Sequence, residues 1–459
     1  MGGAAHLRVI IIASLAGLLF GFDTAVIAGV TGALREGFAL TPAGLGATVS
    51  SALWGTLLGA LVLGRPGDRF GSRNVLRVIG ALYVVSAVGC ALAWSLPSFV
   101  FWRFLAGLAI GGSSVLAPVY LAEIAPAGRR GALVGLFQMN IVVGILLAYG
   151  SNFCVARLIG GGDVWRYKLA IAALPALVFF SLLFTIPQSP RWLALKGRLM
   201  EAAASLRRLG SADPHAQLAE YAAAAGVQPG VPPRLSWTAY RRPILLAIGL
   251  ACFNQLSGIN AILYYLGDIF AAAGFSSQSA DAQSVAVGAT NLLATLLGMA
   301  LIDRLGRKTL LLLGSVGMAA ALLGVALIMA NDAARSWLLA LLVGFIACFA
   351  LSQGAVIWVY LSEIFPTAVR ARGQSIGSAA HWLLNAVISG VFPVIAAHSK
   401  AAPFAFFGAM MALQFITVWF FFPETRGVPL EQLADLMRDA RLSALPSRPR
   451  LNTPKIFNR

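Results

Sequence analysis

Twelve runs of mostly apolar residues follow one another along this chain, each close to the roughly twenty needed to cross a bilayer core as a helix. They fall at about 8–30, 45–64, 74–95, 98–122, 131–152 and 165–186, and, after a break, at 242–272, 284–302, 308–330, 336–361, 373–397 and 401–422. Lipid offers the backbone no hydrogen bonds, so a segment of this kind satisfies its own amides and carbonyls by becoming a helix. A water-soluble fold is excluded by the same residues. Of 459, 59% are hydrophobic and only 11% are charged, with mean hydropathy +0.82, whereas soluble domains carry roughly a quarter charged residues. The chain reads as an all-α membrane protein. Its N-terminal run has no small-residue cleavage site followed by a soluble domain, so it reads as the first span and not as a signal peptide.

The formal charge of +17 is explained by where the basic residues stand. Twenty-seven Lys and Arg fall on one set of alternate connections and the two ends, six fall on the other set, and Arg103 lies within a span. The positive-inside rule then places both termini in the cytoplasm. Lipid is the expected partner. Nucleic acid is not, since no basic stripe interleaved with aromatics occurs. Cys90, Cys154, Cys252 and Cys348 stand singly in apolar stretches, and four histidines are scattered, so neither a disulfide framework nor a metal site is expected. No nucleophile–base pair suggests an enzyme, and no cofactor is called for.

The expected organisation is a six-helix bundle over 1–186, a cytoplasmic helical linker over 187–241, a second six-helix bundle over 242–422 and a cytoplasmic tail over 423–459. Helices are expected near 199–209 and 216–225, before a stretch rich in proline (Pro229, Pro232, Pro233). The tail places Leu430, Leu433 and Met437 at helical spacing, then turns Pro- and Arg-rich and reads as disordered. Internal echoes make the two bundles repeats of each other. Asp68-Arg-Phe-Gly-Ser-Arg73 returns as Asp303-Arg-Leu-Gly-Arg-Lys308, and Tyr120-Leu-Ala-Glu-Ile-Ala-Pro126 as Tyr360-Leu-Ser-Glu-Ile-Phe-Pro366. Pro187-Gln-Ser-Pro-Arg191 has a weaker echo in Pro423-Glu-Thr-Arg426. Matched echoes on one side of the membrane mean parallel repeats, the plan of transporters that bind substrate at the midplane between halves.

Gly21-Phe-Asp-Thr-Ala-Val-Ile-Ala-Gly29, the two Asp-Arg-x-Gly segments and Arg103-x-x-x-Gly107-x-x-x-Gly111 all stand in this order. They are followed by Pro118-x-Tyr120-x-x-Glu123, Pro187-Gln-Ser-Pro-Arg191, Asn254-Gln-Leu-Ser-Gly-Ile-Asn260 with Tyr264-Tyr265, and Pro423-Glu-Thr-Arg-Gly427. With these strings nearly the whole chain resembles the major facilitator superfamily and, within it, the sugar porter family, most of all bacterial sugar–proton symporters of the xylose and galactose type. The resemblance implies the twelve-helix major facilitator fold, a bacterial inner membrane, and symport of a monosaccharide or related polyol with a proton. A facilitative uniporter is the alternative, and a sugar sensor a weaker one because the tail is short and featureless. Function as a monomer is expected.

Asp23 and Arg103 are the acid and base placed well inside spans, and two such charges should pair across the first and fourth helices. A static salt bridge is one reading; the resemblance implies proton coupling, since symporters of this family carry an Asp at this place. Some also carry an acid on the sixth helix, where this chain has Ala172 ahead of Leu174-Pro175. Sugar hydroxyls suit amides and sugar C–H faces suit aromatic rings. Asn254, Gln255, Asn260, Gln353, His381 and Asn385 are candidate polar contacts, with Gln138 and Asn291, while Phe20, Trp358 and Trp382 offer rings and Tyr264 a gate. The resemblance implies sugar contacts at Gln138, Gln255, Asn260, Asn291 and Trp358, and shows Asn254 and His381 replacing common glutamines. Interhelical hydrogen bonding is the bland reading of any one of them. Asp68, Arg69, Arg73, Glu123, Arg130, Asp303, Arg304, Arg307, Glu363 and Arg370 repeat their signs at matched places, which suggests a gate of salt bridges beside plain solvated charge. Relative to the family's strings, Gln188 replaces a Glu and Ser72 an Arg or Lys.

Overall fold

The computed structural model describes residues 2–124, 130–211, 213–226, 235–331, 334–366 and 369–427. Twelve helices among them have the length and hydropathy to cross a membrane: α1 (His6–Gly29), α2 (Pro42–Val62), α3 (Ser72–Ala91), α4 (Leu96–Ile124), α5 (Gly135–Leu158), α6 (Val164–Leu182), α7 (Trp237–Tyr264), α8 (Ser279–Leu305), α9 (Arg307–Asn331), α10 (Arg335–Glu363), α11 (Arg372–His398) and α12 (Ala402–Phe421). Buried hydroxyls among them fold back onto carbonyls of the preceding turn, as Thr48, Thr56, Ser113 and Ser315 do, and so are satisfied within their own helix. The side bearing the connection between α6 and α7 is called the linker face here, and the opposite side the far face. Exposed Trp94 and Trp337 mark the far face and Trp237 and Trp419 the linker face, as interfacial belts do.

Glycines set how closely the helices pack. A Cβ on Gly107 of α4 would lie 1.8 Å from the Ala52 carbonyl oxygen of α2, and one on Gly111 2.1 Å from that of Thr56. The Arg-x-x-x-Gly-x-x-x-Gly string thus brings two backbones into contact. Helices α2 and α11, and α5 and α8, join the first six spans to the last six.

The repeat seen in sequence is also a repeat of hydrogen bonds. Gly71 (φ +87°) and Gly306 (φ +89°) make the same turn between consecutive helices, a backbone region that favours glycine. Tyr120 donates to the Pro187 carbonyl at 2.7 Å, and Tyr360 to that of Pro423 at 3.1 Å.

Among its described residues the linker forms three helices, Pro190–Leu195, Leu199–Arg208 and Pro214–Gly226. The first escapes a reading of apolar periodicity because it is too short. Its start is nonetheless written in the sequence, with the Ser189 hydroxyl accepting from Trp192 N and Pro190 in the first turn. These helices dock on the first half, Trp192 Nε1 donating to the Asp68 carbonyl and Arg208 to that of Thr185, while Ser205 donates within the linker to the Gln188 carbonyl. Pro229, Pro232, Pro233, Leu430, Leu433 and Met437 lie outside the described residues.

Candidate functional site

Asp23 and Arg103 meet in the middle of the first half. Arg103 Nη1 donates to both carboxylate oxygens of Asp23, at 2.9 and 3.0 Å, with the arginine side chain 4% and the aspartate side chain 15% exposed. Thr24, Ile27, Val49, Ala52, Leu53, Ile110 and Tyr264 complete the small cavity around them. Arg103 Nε is buried without a partner. Removing one member of such a pair strands the other charge, at a cost of about 3–5 kcal/mol. Arg103→Met is therefore expected to lower the melting temperature sharply, and Asp23→Asn in the same chain to recover most of the loss. Thermal unfolding of the two variants in detergent checks this, and equal melting of Arg103→Met and the parent chain would remove the pair from the stability of the fold.

Helix α7 is broken at Gly258, whose φ of +79° lets the chain turn out of one helix and into the next at Ile259. The break gathers the amides. Gln255 Nε2 donates to Asn254 Oδ1 at 3.0 Å and lies 3.2 Å from both ring nitrogens of His381 on α11, while Asn260 Nδ2 donates to Gln255 Oε1 at 3.0 Å. His381 lies between two indoles, Trp358 at 5.4 Å and Trp382 at 5.1 Å between ring centroids. One turn along α11, Asn385 donates to the Tyr264 hydroxyl at 3.3 Å. Trp382 also meets Phe20 of α1 at 5.5 Å, three residues from Asp23. The ion pair and the amide cluster are thus joined through Tyr264, a wall of the Asp23 cavity, and through Phe20. Within the cluster the amides satisfy one another.

Three candidates stand apart from this network among the described residues. Gln138 is half-buried on α5 and Asn291 is buried on α8. Gln353 turns away to Met411 and Gln414 of α12. It sits on a widened turn, Ala350–Gly354, that rotates the direction of the side chains in α10.

The charges at the linker face are unequal in the two halves. In the second half, Arg307 donates to Glu363 at 2.8 and 3.2 Å and to Asp303 at 2.8 Å, and Thr425 donates to Glu363 at 2.6 Å. Glu424 accepts from the backbone amides of Arg307 and Lys308 and so caps α9. In the first half Ser72 stands in the place of Arg307 and Gln188 in that of Glu424. The Gln188 side chain bonds the carbonyl of Phe70 and the amide of Ser189, while Glu123 meets Ser189 and the charge of Arg191 and leaves Oε2 buried without a hydrogen-bond partner. Arg73 donates to the Ile186 carbonyl, Arg370 reaches the Phe365 carbonyl, and Asp68, Arg69 and Arg304 are exposed. The Arg130 side chain lies outside the described residues. Gln188→Glu alone puts a carboxylate at the turn before α3 without the arginine that Ser72 replaces, and is expected to lower the melting temperature. Adding Ser72→Arg rebuilds the pattern of the second half, where bonds to charged groups contribute about 1.5–3 kcal/mol, and is expected to raise melting above the parent chain. A double variant no more stable than Gln188→Glu would show that the two faces are not equivalent.

A second buried pair was not legible as one. Lys168 of α6 donates to Asp281 of α8 at 2.9 Å, with both residues under 9% exposed. Asp281 lies outside the apolar run 284–302 because α8 begins earlier, at Ser279, and Lys168 reads in sequence as a charge at the end of its run.

Twelve spans in two related halves, with a buried ion pair wired to an amide and aromatic cluster, define a secondary transporter of the major facilitator type. A family model described as sugar (and other) transporter matches residues 9–437. The D-xylose-proton symporter of Escherichia coli K12 is 35% identical, over 93% of this chain and 94% of that protein. The arabinose-proton symporter of Bacillus subtilis is 34% identical, over 92% and 93%. Among solved structures, the inward open conformation of the xylose transporter XylE from E. coli covers 94% of this chain and 99% of that one, at 33% identity and TM-score 0.83. The structure of that symporter bound to 6-bromo-6-deoxy-D-glucose superposes at 0.76, with 34% identity, covering 95% of this chain and all of that one. The chain belongs to the sugar transporter family and is a multi-pass membrane protein.

Proposed function

We propose that this protein carries a monosaccharide or related polyol together with a proton, by alternating access between two six-helix halves, 1–186 and 242–422. The observation that carries the reading is the contact between the Asp23–Arg103 pair and the amide cluster through Tyr264 and Phe20. Protonation of Asp23 removes the charge that holds Arg103. Because Tyr264 touches both sites, sugar held by Gln255, Asn260, His381 and Asn385 biases the same helices, α1 and α7. One carboxylate then supplies the difference in free energy between the two states that coupling requires. The printed names of the relatives, symporters of xylose and of arabinose with a proton, support the class of both cargoes. The proton is the coupling ion and no cofactor is invoked.

The distribution of Lys and Arg supports cytoplasmic termini in a bacterial inner membrane, which makes the linker face the inner one. Likeness to an inward open structure and the bonds that join the halves near the far face agree with an inward-facing state. The transporter is taken to work as a monomer.

Proteoliposomes test the reading. External pH is followed while pentoses, hexoses and inositol are added in turn. Alkalinisation that follows one sugar supports symport and names the substrate. Sugar exchange without proton movement establishes a uniporter, the alternative that Ala172 favours by leaving α6 without an acid at that place.

A further inference from the structure

We infer that Lys168 and Asp281 form the far-side latch of this transporter, a positioning pair that must part whenever the site opens to the far face. The inference rests on the alternating-access reading above. Lys168 Nζ donates to Asp281 Oδ2 at 2.9 Å and to the Gly29 carbonyl at 2.9 Å. One ammonium thus ties α6 and the end of α1, both in the first half, to α8 in the second. The exposures of the two side chains, 8% and 10%, separate this pair from its neighbour at the same face. Arg35 and Asp268 also join the halves, at 2.8 Å, but the arginine is 48% exposed, and ion pairs in that setting contribute little. Tyr149 adds a neutral bond to the Leu263 carbonyl at 2.9 Å. Lys168 stands four residues before Ala172, on the far side of the turn at Ile171–Ala172, and reaches across to the other half.

A cross-link between halves that rock cannot be permanent. Opening the far face hydrates both ions, so the desolvation cost of the closed state is recovered as the pair separates. Losing only one partner has the opposite consequence: the remaining ion is buried alone when the face is shut and hydrated when it is open. Single neutralisation therefore drives the protein open toward the far face, while removing both charges lets it close again.

The test is hydrogen–deuterium exchange of the full chain in lipid nanodiscs, comparing the parent protein with Lys168→Met, Asp281→Leu and the double variant. Each single variant is expected to shift the closed-to-open ratio by about tenfold or more, with faster exchange over 27–37 and 259–272 and slower exchange over 64–73. The double variant is expected to return to the parent pattern. Parent-like exchange in both single variants, or a double variant as open as the singles, overturns the latch. If one single variant does not fold, the other carries the same expectation with the opposite ion stranded. Adding the transported sugar to the parent protein provides the control. If the two faces never trade protection there, alternating access itself fails; if they do and the single variants do not move, only the latch fails.

Discussion

Asp23→Asn is expected to abolish uphill accumulation of sugar and to leave sugar exchange across the membrane intact. The Asn side chain still offers Arg103 an oxygen at the position where Asp23 now accepts at 2.9 Å, so the cavity keeps its shape. What it loses is the ability to gain and lose a proton, and with that any difference in charge between the loaded and empty carrier. With one proton per sugar, each unit of pH gradient supports about tenfold accumulation, since 1.4 kcal/mol is a factor of ten. In the variant that ratio should fall to about one. Proteoliposomes with an imposed pH gradient give the accumulation ratio, and counterflow of labelled sugar gives the exchange rate. Persistent accumulation would move the coupling group elsewhere. Loss of both activities would make the pair a structural cross-link between α1 and α4.

Gln255→Ala is expected to weaken sugar binding by about 5- to 150-fold, the equivalent of the roughly 1–3 kcal/mol lost when buried polar partners go unmet. Gln255 is the hub of the cluster. It touches Asn254, Asn260 and His381, so its removal frees three polar groups at once. The fold should survive, because the break in α7 depends on Gly258 and not on this side chain. Gln353→Ala is the matched control. Its amide faces α12, so it should lower melting temperature and leave affinity nearly unchanged. Calorimetric titration with the transported sugar measures both. Equal losses of affinity in the two variants would mean that the site extends past α10, and no loss in Gln255→Ala would remove the cluster as the sugar site.

Much of this architecture is legible in the residues because lipid leaves the backbone few options. The spans follow from the length of apolar runs, and the pairing of Asp23 with Arg103 from the cost of leaving either charge alone. What escapes is whatever depends on where a helix ends or how it is rotated. Asp281 is just outside its apolar run, so its burial against Lys168 depends on the extra turn of α8. Gln353 looks equivalent to the other amides until the wide turn at Ala350–Gly354 directs it to α12. Ser72 and Gln188 are visible as departures from the family's strings. That both leave Glu123 less well met than Glu363 emerges only when the two faces are compared in space.

The docking of the linker on the first half changes what counts as one moving body. Through Trp192 and Arg208, the helices from Pro190 onward are anchored to Asp68 and Thr185, and they travel with the first six spans. The covalent seam between the two bodies therefore lies beyond Gly226 and before Trp237, well after the end of the sixth span. A gene divided at that seam would encode two polypeptides, each keeping its own linker-face scaffold, and their assembly in one membrane would rely on contacts between spans, chiefly those of α2 with α11 and of α5 with α8.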